Sequence, residues 1–227
     1  MIQSESKQTP ILKAVGIGRL ANDGQWLLRN VSIHVKPRDR IAVVGPSGSG
    51  KSVLLRSLVL LDPLEEGRIS WNGNPISRDL ITSFRSKVVY VHQQPQLFEG
   101  SVEQNLRMPF DLRIHANKSF ELNQVTDLLK SVGRDETFLA KEHANLSGGE
   151  AAIVALIRAV QLNPDVLLLD EPTAALDEAT MLQMEKLVDV WFQSAENRGM
   201  IWVSHNEAQV ARISNRILQI ENGSLRN

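Results

Sequence analysis

The segment GPSGSGKS, Gly45 to Ser52, fills G-x-x-x-x-G-K-[ST] at every fixed position. That pattern requires a buried strand feeding a turn and a helix leaving it. Both flanks are present. Ile41–Val44 is a compact apolar run, and Ser52 to Leu61 carries Val53, Leu54, Leu55, Leu58 and Val59, bunched as in a helix buried on most of its surface. Gly45, Gly48 and Gly50 let successive backbone N–H groups turn inward around phosphate oxygens, with Pro46, Ser47 and Ser49 completing the cradle. The helix N-terminus adds its dipole. Lys51 supplies a mobile cation for the β- and γ-phosphates of a nucleotide, and the Ser52 hydroxyl is a hard ligand for Mg²⁺. On its own the motif implies nucleoside triphosphate binding. It does not separate kinase, GTPase, helicase and transporter ATPase.

The rest of the chain reads as an α/β protein. Its 227 residues suit one large domain or a core with one insert. Residues 1–10 read as a flexible tail. Ile11 to Val35 shows two alternating apolar stretches separated by Ala21-Asn22-Asp23-Gly24, an antiparallel hairpin pattern. Gly67–Trp71 and Val88–Val91 are further strand candidates. From Ser101 to about Arg158 the strand signal stops: Ser101 with Gln104 forms a capping box, Phe120 to Val132 recurs at helical spacing before Gly133, and Ala151 to Gln161 reads as a helix ended by Pro164. Two apolar runs follow, Val166–Leu169 and Met200–Ser204, with a helix over Ala179–Phe192 between them. Uninterrupted apolar strands joined by helices imply a parallel sheet covered on both faces, with functional groups at its carboxyl edge.

Composition narrows the function classes. With 25 Lys+Arg against 26 Asp+Glu, the chain has no global attraction for nucleic acid or anionic membrane. Zero Cys excludes disulfides, thiolate metal sites and cysteine nucleophiles. No apolar run approaches the ~20 residues of a membrane span, and the polar start MIQSESKQTP lacks the apolar core of a secretory signal. The expectation is a soluble, cytosolic, single-core protein.

Three further segments carry chemistry. VLLLDE puts Asp170 where it would hold Mg²⁺, and Glu171 where it would act as general base on a water; standing alone, Asp-Glu-Pro after a strand is equally a turn with helix-capping carboxylates. His205 ends the next strand, at the same edge as the glycine loop; a lone histidine there is either a phosphate contact or a satisfied structural residue. LSGGE, Leu146 to Glu150, opens a helix with Ser147, Gly148 and Gly149, which reads as a second anion cradle or simply as a serine N-cap with flexible glycines.

Taken in order, GPSGSGKS, YVHQQP, LSGGE, VLLLDEPTAALD and VSHN resemble the ATP-binding subunit of ABC transporters over about Ile11 to Leu225. The resemblance implies a P-loop NTPase core, built from a parallel sheet plus an antiparallel β subdomain, with an α-helical insert at about 101–160; the domain would run over 11–227. It implies ATP and Mg²⁺ as cofactors, and nucleotide sites shared across a head-to-tail homodimer. On it, Asp170 is the Mg²⁺-associated acid and Glu171 the base. Gln93 senses Mg²⁺ and the attacking water and couples to the membrane subunit. Ser147, Gly148 and Gly149 contact the γ-phosphate of the opposite site, Asp177 crosses the dimer, and His205 is the switch histidine. The implied partner is a multispanning membrane permease, reached on the cytoplasmic face of the inner membrane through a groove near Leu97-Phe98-Glu99-Gly100 and Met108-Pro109-Phe110; Phe110 reads equally as core of the insert.

Three positions depart from the family pattern. No aromatic occupies the usual adenine-stacking place near Arg19 and Leu20, which leaves Arg19 or Trp26. Ala152-Ile153 replaces a polar pair in the helix after LSGGE, and Asn206 stands where aspartate is commoner. The stretch Gln94 to Phe110 is similar to ATPase subunits of iron or metal export systems, with phosphate or amino-acid importers as the alternative. A soluble ABC ATPase of repair or translation would carry tandem cassettes or basic arms, and a small-molecule kinase would lack LSGGE.

Overall fold

The computed structural model describes residues 9–226. Residues 1–8 of the expected tail, and Asn227, lie outside the described residues. The elements in chain order are β1 (Leu12–Leu20), β2 (Trp26–Val35), β3 (Arg40–Val44), α1 (Lys51–Leu58), β4 (Glu66–Trp71), β5 (Asn74–Pro75), α2 (Ile81–Lys87), β6 (Val88–Val91), α3 (Val102–Arg107), α4 (Leu122–Ser131), α5 (Gly148–Val160), β7 (Val166–Asp170), α6 (Glu178–Gln193), β8 (Gly199–Val203), α7 (Glu207–Ile213), β9 (Arg216–Glu221) and β10 (Ser224–Arg226). Short 3-10 turns fill several of the connections.

Two sheets result. An antiparallel sheet runs β2-β1-β4-β5, and a six-stranded sheet runs β10-β9-β3-β8-β7-β6. In the second, β9, β3, β8, β7 and β6 are parallel, and only β10 is antiparallel. Strand β7 pairs residue by residue with β8, so Asp170 lies opposite Val203 at their common carboxyl ends. This is the parallel sheet the apolar runs implied.

The period-2 alternation of β7 and β8 builds two cores at once. Val166, Leu168, Ile201 and Val203 pack with α1 and the antiparallel sheet. Leu167, Leu169, Met200 and Trp202 pack with α5, α6 and the helices between β6 and β7. Both strands are buried along their whole length, which is why neither shows a polar face in the sequence. Burying side chains such as Trp202 and Phe192 favours folding by about 1.5–3 kcal/mol each.

Residues between β6 and β7 form α3, α4 and α5, and their only β contact among the described residues is a bridge between Ser101 and Glu142. The Ser101–Gln104 capping box is made in both directions. Val125, Leu128 and Leu129 are the buried stripe of α4, and Gly133 turns the chain at φ 71°.

Several boundaries differ from the sequence reading. The helix after the glycine loop stops at Leu58, not Leu61, because Leu60 takes φ 57° and its N–H and that of Leu61 fold back onto Ser57 and Arg56 carbonyls. The helix expected from Ala151 begins at Gly148, since Ser147 caps it. Strand β8 spans Gly199 to Val203 and leaves Ser204 in the following turn. Helices α2 and α7 and the hairpin β9–β10 were not anticipated at all.

Candidate active site at the carboxyl edge of the parallel sheet

Strand β3 delivers Gly45 into the glycine loop, and α1 leaves it at Lys51 with Gly50 at the N-cap. The loop is braced from behind by the unanticipated hairpin: Gly223 N–H donates to the Ser49 carbonyl at 3.0 Å, and Gly223 in turn accepts from Arg29 of β2. A Cβ on Gly45, at φ 154°, would sit 2.1 Å from the Ile220 carbonyl oxygen, so the hairpin leaves no room for any side chain there. Pro46, Ser47 and Gly48 remain exposed on the open side.

Inside the loop, Lys51 is 5% exposed and its Nζ donates to the carbonyls of Gly45 and Pro46 at 3.0 and 2.9 Å. Burial lowers its pKa, while the charges of Glu171 and Asp170 pull it back up. The Ser49 hydroxyl is buried beside the loop with no hydrogen-bond partner. An orphaned hydroxyl and an ammonium pointed at its own loop carbonyls are what a cradle built for anionic oxygens presents.

The two strand exits bring the acidic groups alongside. Asp170, 3% exposed, accepts from the Ser52 hydroxyl through Oδ1 at 2.9 Å and from the Tyr90 hydroxyl through Oδ2 at 2.7 Å. Glu171 takes φ 47°, an unusual backbone for a non-glycine residue that costs on the order of 1–3 kcal/mol and is found at functional sites. Its carboxylate is met from three sides. His205 Nε2 lies 2.9 Å from Oε1, Lys51 Nζ lies 3.9 Å from the same oxygen, and the Gln93 amide reaches Oε2 at 3.4 Å. Glu171 and His205 open onto a hollow of ≈690 Å³ that Leu176, Met181, Gln209 and Arg212 help to line.

Gln209 of α7 fastens the two exits together. It is 1% exposed, accepts from Ser204 Oγ at 2.8 Å, exchanges hydrogen bonds with Thr173 Oγ1, and donates to Glu185 at 3.0 Å. Thr173 lies two residues beyond Glu171, and Ser204 precedes His205. Glu185 is also held by Arg212.

The remaining sequence candidates lie on α5 and α6. Ser147 caps α5, accepting from Glu150 N–H, while the Glu150 carboxylate accepts from Ser147 N–H and from Lys141 at 2.6 Å. Asp177 caps α6 through Thr180 N–H and hydroxyl, and those bonds hold its carboxyl below the usual range. Gly149 packs directly on Thr180. Among the described residues, no hydrogen bond or ion pair joins Ser147–Glu150 to Gly45–Ser52. The chain therefore gathers Lys51, Ser52, Gln93, Asp170, Glu171 and His205 at one edge and holds Ser147, Gly148, Gly149 and Asp177 in a second cluster. Asn206 caps α7. Of the two adenine candidates, Arg19 is paired to Glu65 at 2.7 Å, and the Trp26 ring lies over Gly18.

Sequence reasoning missed Tyr90, Gln209, Glu185, Lys141 and Thr180. Tyr90 carries the one usable signal: it is the single tyrosine of the chain, in a short apolar strand that leads to Gln93.

A parallel sheet whose strand–loop–helix carries this cradle, with acidic groups at the end of β7 on the far side of β8, defines the class of P-loop nucleoside triphosphatases. Residues 28–174 match the family model described as ABC transporter. The probable iron export ATP-binding protein FetA of Escherichia coli is 31% identical over 204 residues, covering 90% of this chain and 88% of that protein. The nickel import ATP-binding protein NikE of the same organism is 31% identical over 215 residues, covering 88% of this chain and 77% of that protein. A solved ATP-binding cassette, a dimer in a post-hydrolysis state bound to ADP and Pi, superimposes with a TM-score of 0.82 at 26% identity over 95% of this chain and 97% of that one. The chain belongs to the ABC transporter family, as the ATP-hydrolysing subunit of a transporter.

Proposed function

We propose that this subunit hydrolyses ATP at a site completed by a second copy of itself, and that it drives metal export, with iron as the leading cargo, through a separate membrane-spanning permease. One observation carries the two-copy reading. The glycine loop and its carboxylates form one cluster, while among the described residues no hydrogen bond or ion pair joins the Ser147–Gly149 cradle to that loop. A head-to-tail homodimer would seat each cradle on the opposite loop.

Within that site the backbone N–H groups of Gly45 to Ser52 and the Lys51 ammonium hold the phosphates and spread the charge that develops in transfer to water. Glu171 acts as base, taking a proton from the attacking water. His205, 2.9 Å from Glu171, orients that carboxylate, and Gln93 contacts it from the other side. The donor set beside the loop fits Mg²⁺: the Ser52 hydroxyl and Asp170 are hard oxygens already 2.9 Å apart, with Gln93 nearby, and a site of one or two protein oxygens suits an ion that keeps waters and phosphate oxygens as its other ligands. Bound there, Mg²⁺ would neutralise phosphate charge.

Phe98, 56% exposed beside the Arg158 guanidinium, supports permease docking at the turn after Gln93, since Arg158 also ties α5 to the Gln96 carbonyl. Phe110 instead stacks edge-on against Phe120 inside the insert. No helix among the described residues is long and apolar enough to cross a membrane; membership of the ABC transporter family supports a peripheral place on the cytoplasmic face. The likeness to FetA favours export, and the likeness to NikE supplies the import alternative. Deleting the gene together with its neighbouring permease tests the cargo. Raised cellular iron supports export, lowered nickel or other solute supports import, and unchanged metal content rules out both metal readings.

A further inference from the structure

Strand β6 is the outer strand of the parallel sheet, and its carboxyl end reaches Asp170, the last residue of β7, and Glu171 just beyond it. Tyr90, the third residue of β6, pairs in register with Leu168. Its hydroxyl donates to Asp170 Oδ2 at 2.7 Å. Three residues on, the exposed Gln93 amide makes a longer contact of 3.4 Å to Glu171. One strand end therefore carries a short, half-buried bond to the first carboxylate and a long, exposed one to the second.

The Asp170 side chain has two oxygens, and each has one donor. Ser52 serves Oδ1, and Tyr90 serves Oδ2. The carboxylate is 3% exposed, so solvent does not replace either donor if it is lost. A phenol is protonated at neutral pH, and a carboxylate can only accept, so the Tyr90 hydroxyl is the donor in this bond.

We propose that Tyr90 is a positioning residue, whose hydroxyl fixes the orientation of Asp170 and couples the divalent-cation site to the strand that leads into Gln93. The proposal rests on the reading of Asp170 as the carboxylate that holds Mg²⁺. Donors behind a metal-ligating carboxylate are worth 10–100-fold in metal affinity when removed. The ring of Tyr90 packs against the core that α1 shares with the sheet, so Tyr90→Phe removes one oxygen and keeps the packing.

The test uses the full chain and a fluorescent ATP analogue, titrated with Mg²⁺ at equilibrium. In Tyr90→Phe the half-saturating Mg²⁺ concentration is expected to rise about tenfold, while analogue affinity in EDTA stays within twofold of wild type. A purely structural role for Tyr90 would lower the unfolding temperature without this split. Half-saturation within twofold of wild type, or an equal loss of affinity in EDTA, overturns the proposal. Asp170→Asn separates the two levels: if it leaves the Mg²⁺ dependence unchanged, the underlying reading of Asp170 fails. If it shifts that dependence and Tyr90→Phe does not, only the role of Tyr90 fails.

A second measurement needs no substitution. Tyr90 is the only tyrosine in the sequence, so biosynthetic 3-fluorotyrosine labels this site alone. Its ¹⁹F resonance is expected to shift when Mg²⁺ is added to the ATP-bound protein, and not in the Asp170→Asn variant. A resonance indifferent to Mg²⁺ in the otherwise unaltered chain overturns the proposal.

Discussion

Gly149 sits at the second position of α5, and a Cβ built there would fall 2.8 Å from Thr180 Cγ2 and 3.3 Å from Thr180 Oγ1. Thr180 does not swing aside freely, because its hydroxyl donates to Asp177 at 2.7 Å as part of the α6 cap. Gly149→Ala therefore forces either α5 outward or the cap apart. Overpacking of this kind costs about 1–3 kcal/mol, against a helix-propensity gain of up to about 1 kcal/mol. The net expectation is a loss of about 1 kcal/mol, or a melting temperature lower by about 2–4 °C for a chain of this size. Thr180→Ser removes the offending methyl and keeps the hydroxyl bond to Asp177. In that background Gly149→Ala should become neutral or slightly stabilising. The assay is a double-mutant cycle by urea unfolding, with an expected coupling of about 1 kcal/mol or slightly more. Coupling under about 0.5 kcal/mol, the scatter of additive distant sites, would refute the steric reasoning. It would also remove the contact that joins the Ser147–Gly149 cradle to the Asp177 turn.

Lys51→Ala should weaken ATP binding at equilibrium, and unchanged affinity would count against the loop. Gln209→Leu leaves the glycine loop alone but frees Thr173 and Ser204, so kcat should fall about 10–100-fold with KM within twofold, the effect of ångström-scale misplacement; a proportional rise in KM would contradict it. Lys141→Met should destabilise by about 0.5–1 kcal/mol at neutral pH, the scale of a partly exposed ion pair. Hydrogen bonding from Lys141 leads the effects that hold the Glu150 carboxyl below its ordinary value. Its contribution is complete above the unfolded-state pKa of about 4.3 and is lost as pH falls through the lower folded value. The stability gap to Lys141→Met should thus be flat from about pH 5 to 8 and close in acid; a gap that persists at pH 2 would show that the carboxylate is not its source.

The catalytic edge was legible because its signals are local. A glycine loop flanked by an apolar run and a helix, and Asp-Glu at the end of Val166–Leu169, announce themselves within a few residues. Their meeting is then a property of parallel topology, since β3, β8 and β7 run side by side and end at one edge, with β8 between the loop's strand and the acidic one. The serine, aspartate and asparagine caps show why a motif residue and a helix cap need not be rival readings: Ser147, Asp177 and Asn206 all cap helices. What escaped was long-range. Gln209 binds partners 5, 24 and 36 residues away, and nothing near it in sequence marks a buried amide. The C-terminal hairpin did carry a signal, Asn222-Gly223 with both residues at positive φ, the strongest short hairpin cue. Strand β9 shows no clean alternation in burial, with Ile217 exposed and Arg216 half-buried, and the hairpin's brace behind Gly45 is a long-range contact that no local pattern marks.

Glu171→Gln puts the whole account at risk in one preparation. Steady-state phosphate release and the mass of the particle are measured together, with and without ATP. A general base contributes about 10²–10⁴-fold, so turnover should drop at least 100-fold while ATP still binds, and the protein should run as a dimer in ATP and as a monomer without it. Turnover within threefold of wild type would remove Glu171 from the reaction, and a monomer in saturating ATP would remove the shared site.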